Sequence, residues 1–221
     1  MAAKETFERP LWKRAGYYVV WISSRVFFAI ASQLRIRGAS KMPRHGGMLV
    51  CSNHQSHFDP VLVGISFRRR MNYLARKSLF DVPVLSWLIH YLDAIPIERD
   101  GMGIGGIKET LRRLKRGESV LIFPEGTRTA DGRLQPLKPG FYAIAKRSKC
   151  PILPVAVAGA YQMWPRDRSF PGIGRVAVSV GDPISAEAIR EMSEAELIEE
   201  LTHRIRDCFA EATQIARIKA R

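Results

Sequence analysis

Beyond residue 47 the chain alternates short apolar runs with segments of helical period. Residues 48–52, 71–75, 94–97, 119–123, 152–157 and 174–180 read as strands, because each is a short run rich in apolar and β-branched residues bounded by turn signals. Between them, residues 60–67, 78–90 and 140–148 read as helices. Ile104, Ile107, Leu111 and Leu114 recur at steps of three and four with Lys and Arg between them, which predicts an amphipathic helix with a basic outer face. The last helix begins at Ser193, which forms a capping box with Glu196, and buries a stripe of Leu197, Leu201, Ile205, Cys208, Ala212 and Ile215. Regular alternation of strand and helix predicts an α/β fold, a mostly parallel sheet flanked by helices.

The first forty residues break this pattern. Residues 15–34 hold a single charge, Arg25, with Lys13, Arg14, Arg35 and Arg37 at the two ends. Twenty residues match the thickness of a bilayer. A central arginine is costly in hydrocarbon, however, and Ser23, Ser24, Ser32 and Gln33 dilute the run. Two short helices lying in the membrane interface fit better, with Trp12, Tyr17, Tyr18 and Trp21 at headgroup level and the bases on anionic lipid. Arg25 also argues against a cleaved signal peptide. The expected organisation is a membrane-associating helical segment over 1–37 followed by an α/β domain over 38–221.

Composition narrows the partners. Against 21 acids the 221 residues carry 35 Lys and Arg, a formal charge of +14, and residues 1–50 hold nine of these bases with only two acids. Such a balance suits nucleic acid, an anionic membrane, or a phosphate-bearing substrate. Cys51, Cys150 and Cys208 have neither paired nor metal-ligand spacing, which points to a reducing compartment and away from a disulfide framework or structural zinc.

Three polar loops fall at the carboxyl ends of predicted strands, where parallel sheets bind ligands. The first is Asn53-His54-Gln55-Ser56-His57-Phe58-Asp59. Pro60 suits the first position of the following helix, with Asp59 as its N-cap, and His54 lies in the loop from which its ring can fold back to that carboxylate. A histidine paired with a carboxylate is the kit for general-base chemistry; a plain cap, a satisfied loop histidine, or a metal site with His57 are the competing readings. The second loop carries Glu98 and Arg99, with Lys77 following a neighbouring strand. In the third, Phe123-Pro124-Glu125-Gly126-Thr127-Arg128, Gly126 admits a close anion, Thr127 offers a hydroxyl and Arg128 a bidentate fork. Residues 101–106 also satisfy G-x-G-x-x-G, but Glu98 and Asp100 beside the pyrophosphate position weigh against a dinucleotide.

With these blocks in view, the chain resembles the glycerolipid acyltransferase family that includes the 1-acylglycerol-3-phosphate acyltransferases. Asn53 to Asp59 matches its N-H-x-S-x-x-D block, Ile97-Glu98-Arg99 its arginine after a strand, Phe123 to Arg128 its F-P-E-G-T-R, and Pro151 to Val155 its proline-containing apolar strand. The similar region spans roughly residues 34–183. The resemblance implies transfer of a fatty acyl group from acyl-CoA or acyl-carrier protein to the hydroxyl of a lysophospholipid, foremost 1-acylglycerol-3-phosphate. Glycerol-3-phosphate or another lysolipid is the alternative acceptor. It implies His54 as general base, Asp59 as its orienting partner, and Arg99, Arg128, Gly126, Thr127 and Lys77 at the phosphate, with Glu125 bracing the loop or Arg128. No G-x-S-x-G elbow is present, so transfer is direct. No cofactor, metal or nucleic acid is expected, and the setting is the cytoplasmic face of a membrane; oligomeric state is left open. The contrary class is a basic binding module using Arg68, Arg69 and Arg70 with Arg112, Arg113, Lys115 and Arg116.

Overall fold

A computed structural model describes residues 10–81, 83–92, 94–98 and 103–217. Its centre is a seven-stranded sheet of β1 (Arg35–Arg37), β2 (Met48–Ser52), β3 (Met71–Arg76), β4 (Ile95–Ile97), β5 (Ser119–Ile122), β6 (Ile152–Ala158) and β7 (Ala177–Val180), in the order β1-β7-β6-β2-β5-β3-β4. The pairings from β6 through β2, β5 and β3 to β4 are parallel; β7 is antiparallel to β6, and β1 runs with β7. The expected α/β architecture with a mostly parallel sheet is therefore what the chain adopts.

Side-chain alternation sorts the two faces. Met48 and Val50 of β2, Leu121 of β5, and Leu153, Val155 and Val157 of β6 enter one core with Phe28, Leu62, Val63 and Met71. Leu49, Cys51, Val120, Ile122 and Ile152 enter the other with Leu114, Phe141, Ile144, Leu197 and Leu201. The helices α1 (Leu11–Ser32) and α2 (Asp59–Ile65) thus cover the first face. On the opposite face lie α4 (Gly103–Lys115), α5 (Gly140–Ser148), α7 (Ala186–Glu191) and α8 (Glu194–Ala216), while α3 (Pro83–Tyr91) and α6 (Ala160–Met163) link strands. Both faces of the central strands are covered, which is why those strands read as continuous apolar runs. The capping box of α8 is present: Glu196 N donates to Ser193 Oγ and Ser193 N to Glu196 Oε2. Its inner stripe ends on Ala216, with Ile215 half-buried.

The N-terminal segment differs from expectation. It is one helix of 22 residues, not two short ones. Arg25, disruptive in a membrane span, has a partner in the body: its Nη1 donates to the Ile65 carbonyl at 2.8 Å, its guanidinium lies 5.3 Å from the Trp21 ring, and Trp21 Nε1 donates to the Phe67 carbonyl at 2.7 Å. Arginine and tryptophan thereby satisfy carbonyls at and just beyond the C-terminus of α2, groups that a helix leaves without intrahelical partners. Tyr17 and Phe28 are buried against the body, while Leu11, Val19, Ile22, Val26 and Ile30 form an exposed stripe on the other side. Among the described helices, α1 is long and apolar enough to cross a membrane by length and composition. β1, which the sequence reading groups with this segment, belongs to the main sheet.

The bases assigned to a binding module are largely committed elsewhere. Arg69 donates to the carbonyls of Pro43, Gly46 and Gly117, and Arg70 to that of Tyr91. Arg113, expected on the outer face of α4, turns inward to Glu109 and to Asn72 Oδ1. Ile104, expected on the inner stripe, is exposed, and Gly106, Thr110 and Leu114 are the buried positions of α4.

Candidate active site

The five mutually parallel strands end at one edge, and the loops after them build the site. At its middle, β2 leads into the loop of His54. Asn53 fastens that loop by mimicking a strand residue: its Nδ2 donates to the Val157 carbonyl at 3.0 Å, and Val157 N donates to its Oδ1 at 2.8 Å. The Asp59 side chain is fully buried and its Oδ2 accepts from three donors, the backbone N–H groups of Gln55 and Ser56, both at 2.6 Å, and His54 Nδ1 at 2.8 Å. This corrects the expected N-cap. α2 starts at Asp59 itself with Phe58 in the capping position, and the carboxylate reaches backward to organise the histidine loop.

Nδ1 faces the carboxylate and so carries the hydrogen, which leaves Nε2 with the lone pair. The ring stacks on Phe123 at 3.9 Å between centroids and 13° between planes, with 19% of the His54 side chain exposed. Carboxylate and phenyl together hold the imidazole in one tautomer and one plane.

The third loop is locked to the first, since Thr129 N donates to the His54 carbonyl at 2.8 Å and Gln55 Nε2 to that of Gly132 at 2.6 Å. Gly126 has φ +73°, a conformation that favours glycine, and a Cβ there would meet the flexible end of Lys138, Cδ at 3.0 Å. Arg128 Nη1 donates to His57 Nε2, joining the two loops at the surface. Burial lowers the Arg128 pKa, as do the charges of Arg166 and Arg76 nearby. Burial likewise lowers that of His57, with Arg128 adding to the effect. Glu125 is buried, and desolvation pushes its carboxyl up to about 8 against the pull of the Gln135 and His54 backbone N–H groups. Thr127 is exposed beside it.

At the outer edge, Lys77 follows β3 and its Nζ pairs with Glu98, which follows β4; both are exposed. Arg99 lies outside the described residues. The structure thus brings His54, Asp59, Glu125 and Arg128 together and leaves Lys77 engaged with Glu98. Sequence reasoning missed Trp164, after β6. Its carbonyl accepts from Ser56 Oγ and His57 N, and its ring lies 4.7 Å from that of His57. The rule that picked out the other strand-end loops applied here too, but a loop of Trp, Pro and Arg offers no recognisable catalytic group. Lys138 and Arg76 were missed because single bases resemble solvated surface charge.

Comparison with known proteins agrees with this geometry. A 1-acyl-sn-glycerol-3-phosphate acyltransferase of Bacillus subtilis is 27% identical over 193 residues, 82% of this chain and 94% of that protein. A chloroplastic enzyme of the same name from Brassica napus is 30% identical over 153 residues, 67% of this chain, which spans only 44% of that longer protein. The crystal structure of the 1-acyl-sn-glycerophosphate acyltransferase from Thermotoga maritima superposes with a TM-score of 0.80 over 97% of this chain and 86% of that one, at 24% identity, which shows a shared fold. The family model described as Acyltransferase matches residues 33–158, the stretch holding the histidine loop, the glycine–arginine loop and six of the seven strands: this chain belongs to the acyltransferase family.

Proposed function

We propose that the chain moves a fatty acyl group from an acyl thioester, acyl-CoA or acyl-carrier protein, to the free hydroxyl of 1-acylglycerol-3-phosphate, giving phosphatidic acid. The observation that carries this is the His54–Asp59 pair, held 2.8 Å apart in the loop after β2 and flanked by Arg128. His54 Nε2 takes the proton from the acceptor hydroxyl as its oxygen attacks the thioester carbonyl. A C–O bond forms, the C–S bond breaks, and the imidazolium returns the proton to the leaving thiolate. Asp59 stabilises the imidazolium while it exists. General-base action of this kind contributes about 10² to 10⁴ in rate.

Arg128, Gly126 and Thr127 hold the acceptor phosphate, joined by Lys77 and Arg99 from the outer strands. An anion entering there displaces His57 from Arg128 and competes with Glu98 for Lys77. Holding the phosphate places the hydroxyl against His54, which converts binding into proximity. The exposed stripe of α1 lies in the interface on the cytoplasmic face of the membrane, where a single-chain lipid is delivered to the strand ends. The supporting test is turnover of purified full-length chain on 1-acylglycerol-3-phosphate with each thioester donor. No turnover with either donor in wild type, or turnover by His54→Ala within ten-fold of wild type, would reject the reading.

A further inference from the structure

The loop between β6 and β7 combines two features with no role in the chemistry above. Phe170 and Ile173 are 79% and 90% exposed, although both are large and apolar. The segment is also held by hydrogen bonds: Trp164 Nε1 donates to the Arg168 carbonyl at 2.9 Å, Gly172 N to that of Met163 at 2.6 Å, and Arg168 Nη1 to that of Gln162 at 3.2 Å. A loop so fastened, with two apolar side chains directed into solvent, presents a surface that calls for a partner. Arg166, Arg168 and Arg175 flank these side chains, with Asp167 the one acid between 164 and 176.

The ends of this loop adjoin α1. Val176 N donates to the Ser32 carbonyl at 3.1 Å, and Arg175 lines a small cleft with Gln33, Arg35 and Arg217. At its other end Trp164 packs edge-to-face against Phe58, centroids 4.9 Å apart, and Phe58 packs edge-to-face against Phe28 of α1 at 5.0 Å. Trp164 also touches His57, so the loop borders both the exposed apolar helix and the catalytic loops.

We infer that this loop is a second bilayer-contacting element, in which Phe170 and Ile173 enter the interface of an anionic membrane while Arg166, Arg168 and Arg175 stay among the lipid phosphates. Apolar residues framed by arginines match the layered polarity of a lipid interface. The contacts of the loop with Ser32 and, through Phe58, with Phe28 of α1, together with the basic cleft at Arg35, Arg175 and Arg217, favour a membrane over a protein partner. The inference rests on the proposed lipid chemistry for its purpose, though not for its test. With two contacts in place of one, the strand ends would meet the membrane in a more defined orientation.

The native cysteines permit a direct measurement. Cys51, Cys150 and Cys208 are free and buried, and burial raises the pKa of each thiol, so an added surface cysteine is labelled selectively. Full-length chain carrying Ile173→Cys with an environment-sensitive fluorophore is mixed with vesicles of phosphatidylcholine, with and without phosphatidylglycerol. The expected result is a blue shift on the anionic vesicles, and vesicle affinity lowered roughly five-fold by Arg175→Gln. A label that keeps its aqueous emission while the chain co-floats with the vesicles would overturn the proposal, leaving α1 as the contact. Failure to float, or a shift produced by acyl-carrier protein in place of vesicles, would overturn it too. Turnover is not part of this readout. A chain that inserts residue 173 yet fails to acylate 1-acylglycerol-3-phosphate rejects the reaction and not the loop; an active chain with an aqueous label rejects the loop and not the reaction.

Discussion

At the middle of the sheet's carboxyl edge the His54–Asp59 pair is held by buried hydrogen bonds to the backbone of its own loop, whereas at the outer edge Lys77 and Glu98 hold each other in solvent. β2 lies between β6 and β5, so its loop is braced from both sides, by Val157 and Trp164 on one and by Thr129 on the other. β4 is the edge strand and is paired on one side only. The contrast teaches where fixed geometry is needed. A base must meet a proton within a few tenths of an ångström, and a phosphate can be gathered by charges that move to it.

The strongest test of the buried half is His54→Ala, which should lower kcat by 10² to 10⁴ while the chain stays folded, because the ring is lost but the His54 carbonyl still accepts from Thr129. Steady-state turnover with a thermal melt reads both. Asp59→Asn should lower kcat by at least ten-fold. The amide oxygen can still accept from the donors now on Oδ2, but it lacks the charge that stabilises an imidazolium. A variant that loses stability but retains kcat would make Asp59 a brace of the loop and no more.

Arg128 joins the two halves, being partly buried yet bonded to the surface histidine. Arg128→Ala should raise KM for 1-acylglycerol-3-phosphate ten- to a hundred-fold, from the loss of a charge-assisted contact worth about 1.5–3 kcal/mol. It should leave KM for the thioester nearly unchanged. Lys at this position should restore only part of the loss, since an ammonium lacks the planar fork. If the thioester KM rises instead, this arginine serves the donor.

Much of this was legible beforehand, and the failures have physical causes. Loops at parallel strand ends are informative because their polar residues interrupt apolar runs, so the histidine and glycine–arginine loops stood out. The pairing of His54 with Asp59 was legible in the same way, but the N-cap assignment of Asp59 failed, since Asp before Pro at a helix start reads as a cap and only the backbone path shows it already inside the helix with its carboxylate turned toward the preceding loop. β1 escaped notice because three residues, two of them arginine, carry no strand signal until β7 supplies a partner. Arg25 was taken as a barrier to membrane insertion, and its bond to Ile65 is a contact at a sequence distance of forty that no local pattern reveals.

Glu125 offers a smaller effect, on stability. Its carboxyl is raised from an ordinary 4.5 to about 8, so between those values the folded chain binds a proton that the unfolded chain has released. The contribution of Glu125 to stability is therefore greatest below about pH 4.5 and is lost as pH rises toward 8. Glu125→Gln should flatten this decline, seen as a melting temperature that drops less than wild type between pH 5 and pH 8. Parallel curves would show that the carboxyl stays ionised in the fold.

The smallest effect tests the solvent-held half. Glu98→Gln should lower KM for 1-acylglycerol-3-phosphate by up to about five-fold, because an exposed ion pair is worth roughly 0.2–1 kcal/mol and its removal frees Lys77 for the phosphate. Taking away a carboxylate near the incoming anion acts in the same direction. Because the Lys77–Glu98 pair is exposed, the gain should shrink as salt rises toward 1 M, where screening reaches only about 3 Å. The effect of Asp59→Asn on kcat, arising from a fully buried group, should persist at that salt concentration. A rise in KM on losing Glu98 would mean that the carboxylate positions Lys77 for the phosphate rather than competing with it, and the outer edge would then be organised like the middle.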